Sequence, residues 1–326
     1  MTNGSPDYHT TPSPMDVVFC GTPAFAVPTL RALLDAADFR VRLLVCQPDR
    51  PSGRGLQLTA PPTKELAIAR GVAVAQPAQI KNNEEFRAQL RAIAPQAIVV
   101  VAYGRIIPPW MIALPKLGNI NVHASLLPKY RGAAPIQWAI ALGETMTGVS
   151  TMRIDVGLDA GDILLKSEVP IEAEDTAETL APKLAAAGAP LLLETLRGLD
   201  AGNITPRPQD HSQATLAPLL KKEDGYIDFQ RTAAEVANRL RGFTPWPGAY
   251  ASFRGKKLHV WKVRLAGGLP NLPEPGVLCA NGEHLYLQCG QRTSLEILEL
   301  QLEGKRRMTA REFLNGYRPQ PGERLA

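Results

Sequence analysis

A doubly wound parallel α/β sheet followed by a small β-barrel is the fold class this sequence predicts. Three observations predict it. From Met15 to about residue 200, short apolar runs alternate with stretches of helical spacing. Several of those runs, QAIVVVAYG among them, are apolar on both faces, as strands are when helices cover both sides of a parallel sheet. After residue 220 the texture changes to short strand-like runs divided by Gly, Pro and Asn, which is a barrel pattern.

The elements follow in order. DVVFCG (Asp16–Gly21) is a strand, and PAFAVPTLRALLDAA has helical spacing with Phe25, Leu30, Leu33 and Leu34 inward. VRLLVCQ (Val41–Gln47) is the second strand. QPDRPSGRGLQLTAPP (Gln47–Pro62) has no apolar face and reads as a loop. PTKELAIARG (Pro62–Gly71) is a short helix with a Gly stop. VAVAQP is a strand, EEFRAQLRAIA a helix and QAIVVVAYG (Gln96–Gly104) a strand. GNINVHAS is the next strand, APIQWAIALGE a helix and TGVSTMRID (Thr147–Asp155) a strand. A long helix then runs through DTAETLAPKLAAAGAPLLLETLRGL, with Asp175 as N-cap and Glu178 completing a capping-box pattern. Residues 202–220 are polar and Pro-rich and read as a linker. Thr232 and Glu235 form a second capping box, opening TAAEVANRLRGF. Five strands follow: AYASF, KLHVWKVRL, PGVLCA, HLYLQC and SLEILELQL. Thr309 and Glu312 cap a last helix. The expected organisation is a disordered tail over 1–14, a Rossmann-like α/β domain over 15–202, a linker over 203–220 and an OB-like barrel over 221–326.

Bulk properties narrow the function. A length of 326 residues fits two domains. A net charge of +5 is compatible with a polyanionic partner without requiring one. Cys20, Cys46, Cys279 and Cys289 form no C-x-x-C pair, so neither a zinc site nor a redox motif is expected, and a reducing cytosol fits. No apolar run approaches the roughly 18 residues that would span a bilayer, and the first 14 residues resemble no targeting signal. There is no P-loop, no G-x-G-x-x-G in the first βα turn, no G-x-S-x-G and no H-E-x-x-H.

The chemistry-bearing candidates lie in two places. Asn121 and His123 stand two apart on a strand, so they share a face while Val122 points away. At the end of a parallel strand that face can open on a ligand crevice. An Asn amide there can donate to an oxyanion, and an imidazole can move protons. Taken alone, a core histidine beside a strand-ending Asn is the plainer reading. Of the five histidines, His123 is the only one in the α/β region. The loop VGLDAGD offers carboxylates at Asp155, Asp159 and Asp162, with Asp159 between Gly157 and Gly161; a polar surface turn is the alternative. The second place is Gln47–Pro62, with Arg50 and Arg54: a solvated turn, or a mobile basic loop that reaches for phosphates.

Five segments together resemble the folate-dependent formyltransferases: VVFCGTPAFAVPTL, QPDRPSGRG, INVHASLLPKYRGAAPIQWAI, TGVSTMRIDVGLDAGDIL and GFTPWPGAYA. The resemblance runs from about Val17 to near the C-terminus and is nearest to the branch acting on methionyl initiator tRNA. It implies the formyltransferase fold, 10-formyltetrahydrofolate as donor, no metal, and a monomer in the bacterial cytoplasm. It implies Asn121, His123 and Asp159 as the catalytic trio. Ser125, Leu126, Leu127 and Pro128 match the folate-contacting turn, with Lys129 and Arg131 at the mouth of the site. Arg54, with Arg50 near it, matches the part that reads the acceptor end of the tRNA. In the barrel, Lys256, Lys257, Lys305, Arg306, Arg307, Arg311 and Arg318 would face tRNA phosphates. Two other readings stay open: an amino-sugar formyltransferase with the same trio, and an RNA-binding protein without activity.

Overall fold

The structure, a computed structural model, describes residues 13–52, 57–267 and 274–326. Its elements in chain order are β1 (Met15–Gly21), α1 (Val27–Asp35), β2 (Phe39–Val45), β3 (Arg50–Ser52), β4 (Gln57–Thr59), α2 (Pro62–Ala69), β5 (Val74–Ala75), α3 (Glu84–Ile93), β6 (Ala97–Val101), α4 (Pro109–Ile112), β7 (Asn119–His123), α5 (Pro135–Ala141), β8 (Met146–Arg153), β9 (Ile163–Pro170) and α6 (Ala177–Asp200). Then come α7 (Ala233–Gly242), β10 (Ala249–Phe253), β11 (Lys256–Ala266), β12 (Leu278–Asn281), β13 (His284–Gln288), β14 (Ser294–Leu302), β15 (Met308–Thr309) and α8 (Ala310–Tyr317). The chain divides into two compact units.

The first unit comprises the chain up to Ala124 with Val149–Ser167 and Ala185–Gln209. Its seven-stranded sheet has the order β5-β2-β1-β6-β7-β8-β9. Every residue of β6 is buried, which is why its sequence carries no polar alternation. The core on one side joins Val18, Leu43, Leu90, Ile98 and Met111. Leu30 and Leu33 of α1 are fully buried, while Leu34 and, in the turn just before the helix, Phe25 are half-buried.

Four details depart from expectation. β8 runs antiparallel to β7, pairing Ile120 with Arg153 and His123 with Ser150, so the sheet is parallel only from β5 to β7. β9, which was not foreseen, forms the sheet edge; Lys166 and Glu168 interrupt its apolar pattern, as charged residues do on edge strands. The basic loop holds a small antiparallel hairpin, β3 with β4. Lastly, the cap of α6 lies one residue later than expected. Thr176 and Thr179 exchange reciprocal hydrogen bonds at the helix start. Asp175 instead turns to Lys183 at 2.8 Å and accepts from the Thr179 hydroxyl.

The second unit comprises Ser125–Gly148, Glu168–Leu184 and Asp210–Ala326. Its sheet has the order β10-β11-β14-β13-β12, with β15 beside β14. Phe253, Leu258, Ile297, Leu300 and Phe313 lie in its core. The last residues of the chain join its two edge strands. Ser252 on β10 exchanges backbone hydrogen bonds with Ala326, at 2.6 and 2.9 Å, while the Leu278 amide on β12 donates to Glu323. The C-terminal residues thereby cover the outer edges of β10 and β12. Both expected capping boxes, Thr232–Glu235 and Thr309–Glu312, are present.

Candidate active site

Two main-chain features build the site. β7 carries Asn121 and His123 on one face and Val122 on the other. The Val122 face is closed by α6. A Cβ added to Gly188 would stand 2.9 Å from Val122 Cγ1, so the helix can pack this near only without a side chain. His123 is 6% exposed, while Asn121 is half-buried.

The second feature is the loop of residues 154–162, between β8 and β9. Asp155 Oδ1 accepts from the Gly157 amide at 2.8 Å, which starts the turn. Asp159 has φ +45°, a left-handed conformation that Asp tolerates better than most residues. Gly161 crosses the Arg153 carbonyl so tightly that a Cβ would lie 2.0 Å from its oxygen. The loop thereby turns the Asp159 carboxylate toward β7. Its Oδ1 accepts from Asn121 Nδ2 at 3.4 Å, and its Oδ2 lies 3.7 Å from His123 Nδ1. The second distance is an electrostatic contact and exceeds a hydrogen bond. Catalytic contacts are commonly this loose before substrate arrives. One amide donor, one imidazole and one carboxylate thus converge, a set suited to stabilising oxyanion charge and moving a proton. Asp155 is spent on its own turn. Of the three acidic candidates, Asp159 is the one brought to the pair.

Cys20 and Cys46 are fully buried, and burial pushes the Cys46 thiol up to about 11, so it stays protonated and inert.

The turn after His123 belongs to the second unit. Ser125 is fully buried and its hydroxyl donates to the Lys129 carbonyl at 2.6 Å, closing the turn; Leu127 is also fully buried. Leu126 and Pro128 are half-buried and supply what accessible side-chain surface this turn has. The Leu127–Pro128 peptide is cis. Lys129 and Arg131 have different surroundings. Lys129 lies 3.2 Å from Glu144. Arg131 is 8% exposed, its guanidinium meets His211 Nδ1 at 3.2 Å, and its backbone exchanges hydrogen bonds with Thr215 and Ala217.

Arg50 lies at the base of the basic loop and donates to Gln47 Oε1. That base is fixed by Lys64, Asp49 and Gln76, joined at 2.7 to 2.9 Å. Arg54 lies outside the described residues. Several of the basic candidates in the second unit have acidic neighbours: Arg306 with Glu312 at 2.9 Å, Arg307 with Glu299 at 2.6 Å and Arg311 with Glu283 at 3.2 Å. Arg318 ends α8 with φ +44°. Lys256 and Lys305 are exposed.

Lys257 stands 3.7 Å from the centre of the Tyr250 ring, and Arg307 lies 5.2 Å from that of Trp261. These cations border an aromatic strip that was not foreseen. Tyr226, Tyr250, His259 and Trp261 follow one another with ring centres 5.8 to 5.9 Å apart. Burial, reinforced by Lys257, lowers the His259 pKa and keeps the imidazole neutral. The available signal was the period of two in KLHVW, which puts Lys257, His259 and Trp261 on one strand face.

Comparison with known proteins identifies the family. Residues 15–196 match the formyl transferase family and residues 219–318 match its C-terminal domain. A methionyl-tRNA formyltransferase of Koribacter versatilis is 61% identical over 95% of this chain and 98% of its own length. One from Acidobacterium capsulatum is 60% identical over 95% of this chain and 99% of its own length. Among solved structures, an N-formyltransferase from Helicobacter canadensis, in complex with folinic acid and dTDP-3-aminofucose, superposes with a TM-score of 0.65. It is 18% identical, with 87% of this chain and 98% of that one covered, a likeness of fold. With both domains matched and such identity along almost the whole length, the chain belongs to the methionyl-tRNA formyltransferase branch of the formyl transferase family.

Proposed function

We infer that this protein formylates the α-amino group of methionine esterified to initiator tRNA, with 10-formyltetrahydrofolate as the donor. The observation that carries this is the convergence of Asn121 and His123 with Asp159, in a chain matched to methionyl-tRNA formyltransferases over 95% of its length. Formyl-tetrahydrofolate is the donor that the family uses.

The trio suits such a donor. The bound folate supplies an electrophilic formyl carbon. Asn121 donates a hydrogen bond to the formyl oxygen as negative charge builds there. Its present bond to Asp159, at 3.4 Å, is long enough to be exchanged for that stronger one. His123 shares the developing charge or relays a proton toward the departing nitrogen. Asp159 orients the imidazole and accepts the amine proton, directly or through a water. This chemistry needs no metal and no covalent bond to the enzyme. Leu126 and Pro128 present apolar surface to the folate, while Ser125 and Leu127 shape the turn from within.

The second unit and the basic loop serve the tRNA. Arg54 and Arg50 read its acceptor end. Lys256, Lys257, Lys305, Arg306 and Arg307 meet phosphates. The enzyme works as a monomer in the bacterial cytoplasm. Among the described residues, no helix is long and apolar enough to cross a membrane. Sugar formylation is the weaker reading, because two sugar N-formyltransferases that share the fold are only 18% and 19% identical.

The test is a formylation assay with charged initiator tRNA, charged elongator tRNA and amino sugars as competing acceptors. Preferential labelling of initiator methionyl-tRNA is expected; preference for a sugar amine would overturn the assignment. His123→Ala should lower turnover by about 100- to 10,000-fold while tRNA affinity stays nearly constant. A large loss of binding instead would make His123 a contact rather than a catalyst.

A further inference from the structure

We propose that Gln209 is a positioning residue: its side-chain amide fixes the loop that carries Asp159, and through that loop sets the geometry of proton transfer. Gln209 lies in the polar stretch that the sequence presented as linker, yet it is 6% exposed. Its Nε2 donates to two carbonyls of one loop, that of Asp159 at 2.8 Å and that of Gly161 at 2.7 Å. Both N–H bonds of a single amide are thereby used on residues two apart.

The backbone explains how it gets there. Arg207 and Ile163 exchange hydrogen bonds at 2.8 and 2.9 Å, an antiparallel bridge. Two residues onward on one strand and two back on the other bring Gln209 opposite Gly161. The loop is thus held from two sides. Arg153 donates its amide to Asp162 and packs its carbonyl on Gly161. Gln209 grips the carbonyls on either side of Ala160. Asp159 needs this grip because its left-handed conformation is disfavoured for a residue with a side chain and persists only where the surroundings impose it. Glutamine is also the right chemistry. It offers two donors and no charge, whereas a glutamate would set an acceptor against two acceptors.

The kinetic consequence rests on the proposed role of Asp159. Its carboxylate stands 3.4 Å from Asn121 and 3.7 Å from His123, and displacements of about 1 Å at such a site can cost on the order of 100-fold in rate.

Gln209→Met keeps the volume and removes both donors. The expected result is amide hydrogen exchange over residues 157–162 that is about tenfold faster or more, with the strands of the same sheet unchanged. Turnover should fall on the order of 10- to 100-fold, with the KM for each substrate within about twofold. In an Asp159→Asn background the same change should cost little more, since residues that act through one another are not additive. Unchanged exchange in the loop, or an equal kinetic loss in both backgrounds, would overturn the proposal. Gln209→Glu provides a second readout should the Met variant fold poorly. Its turnover relative to the parent should recover as pH falls and the carboxyl gains a proton to donate; a constant ratio from pH 6 to 8 counts against the anchor. Full turnover in Asp159→Asn would instead sink the catalytic role of Asp159, while hydrogen exchange still decides the role of Gln209.

Discussion

At position 121 an amide, and not a carboxylate, faces Asp159, and the difference matters chemically. An amide N–H can leave the Asp159 carboxylate for a formyl oxygen gaining negative charge. A second carboxylate would repel both. Asn121→Ala should therefore lower single-turnover formylation by roughly 100- to 1,000-fold, and Asn121→Asp should do no better despite its matching shape. Recovery of activity in the Asp variant would show that size, not donation, is what position 121 supplies. The pair on β7 was legible because a strand repeats every two residues, so spacing alone put both side chains on one face. Asp159 was legible as one of three candidates. The selection among them came from three dimensions: Asp155 is consumed by its own turn, while Asp159 adopts a backbone conformation that sequence does not display. Gln209 left no trace in the sequence, because it grips main-chain carbonyls some 50 residues away, and main chain carries no residue identity.

The elements were legible wherever local chemistry decided them. Thr232 and Thr309 cap their helices because each has a glutamate three residues on, and that motif is complete within one turn. The start of α6 shifted because Lys183, eight residues along, draws Asp175 away from the cap. β9 was hidden for a related reason, since the charges that protect an edge strand also break its apolar pattern. The closing strand of the barrel was equally hidden: residues 323–326 have no strand-like run of their own and pair only because two edges stand ready. Leu325 is 1% exposed there, and Arg254 grips Glu323 at 2.6 and 2.8 Å. Deleting Glu323–Ala326 should remove about 2–5 kcal/mol of stability through Leu325 alone, and bare the edges of β10 and β12. Calorimetry should show a lower Tm and salt-dependent aggregation; an unchanged Tm would show that the barrel does not depend on its closing strand.

Charge is legible for the whole molecule only as a sum. The chain has 36 Lys and Arg against 31 Asp and Glu, an excess too small to locate a nucleic-acid surface. The structure makes the question sharper, because it gives Arg306, Arg307 and Arg311 each an acidic neighbour. Exposed pairs of this kind are worth less than about 1 kcal/mol, so each can be exchanged for a phosphate at little cost. Arg264 differs. It is 64% exposed but paired at 2.5 Å with Glu296, which is 7% exposed and also held by His284, so its charge is committed to the fold. These differences predict which charges tRNA uses. Lys257→Ala and Arg307→Ala, beside Tyr250 and Trp261, should each weaken tRNA binding and flatten the plot of log affinity against log salt by about 0.7 to 0.9. Turnover at saturating tRNA should stay close to that of the parent, since neither residue belongs to the trio. Arg264→Ala should leave the slope unchanged and lower the Tm instead. The measurement is tRNA affinity from about 50 to 200 mM salt, the range over which phosphate contacts are most visible. A slope near zero for the unmodified protein would mean that the tRNA is held by something other than charge.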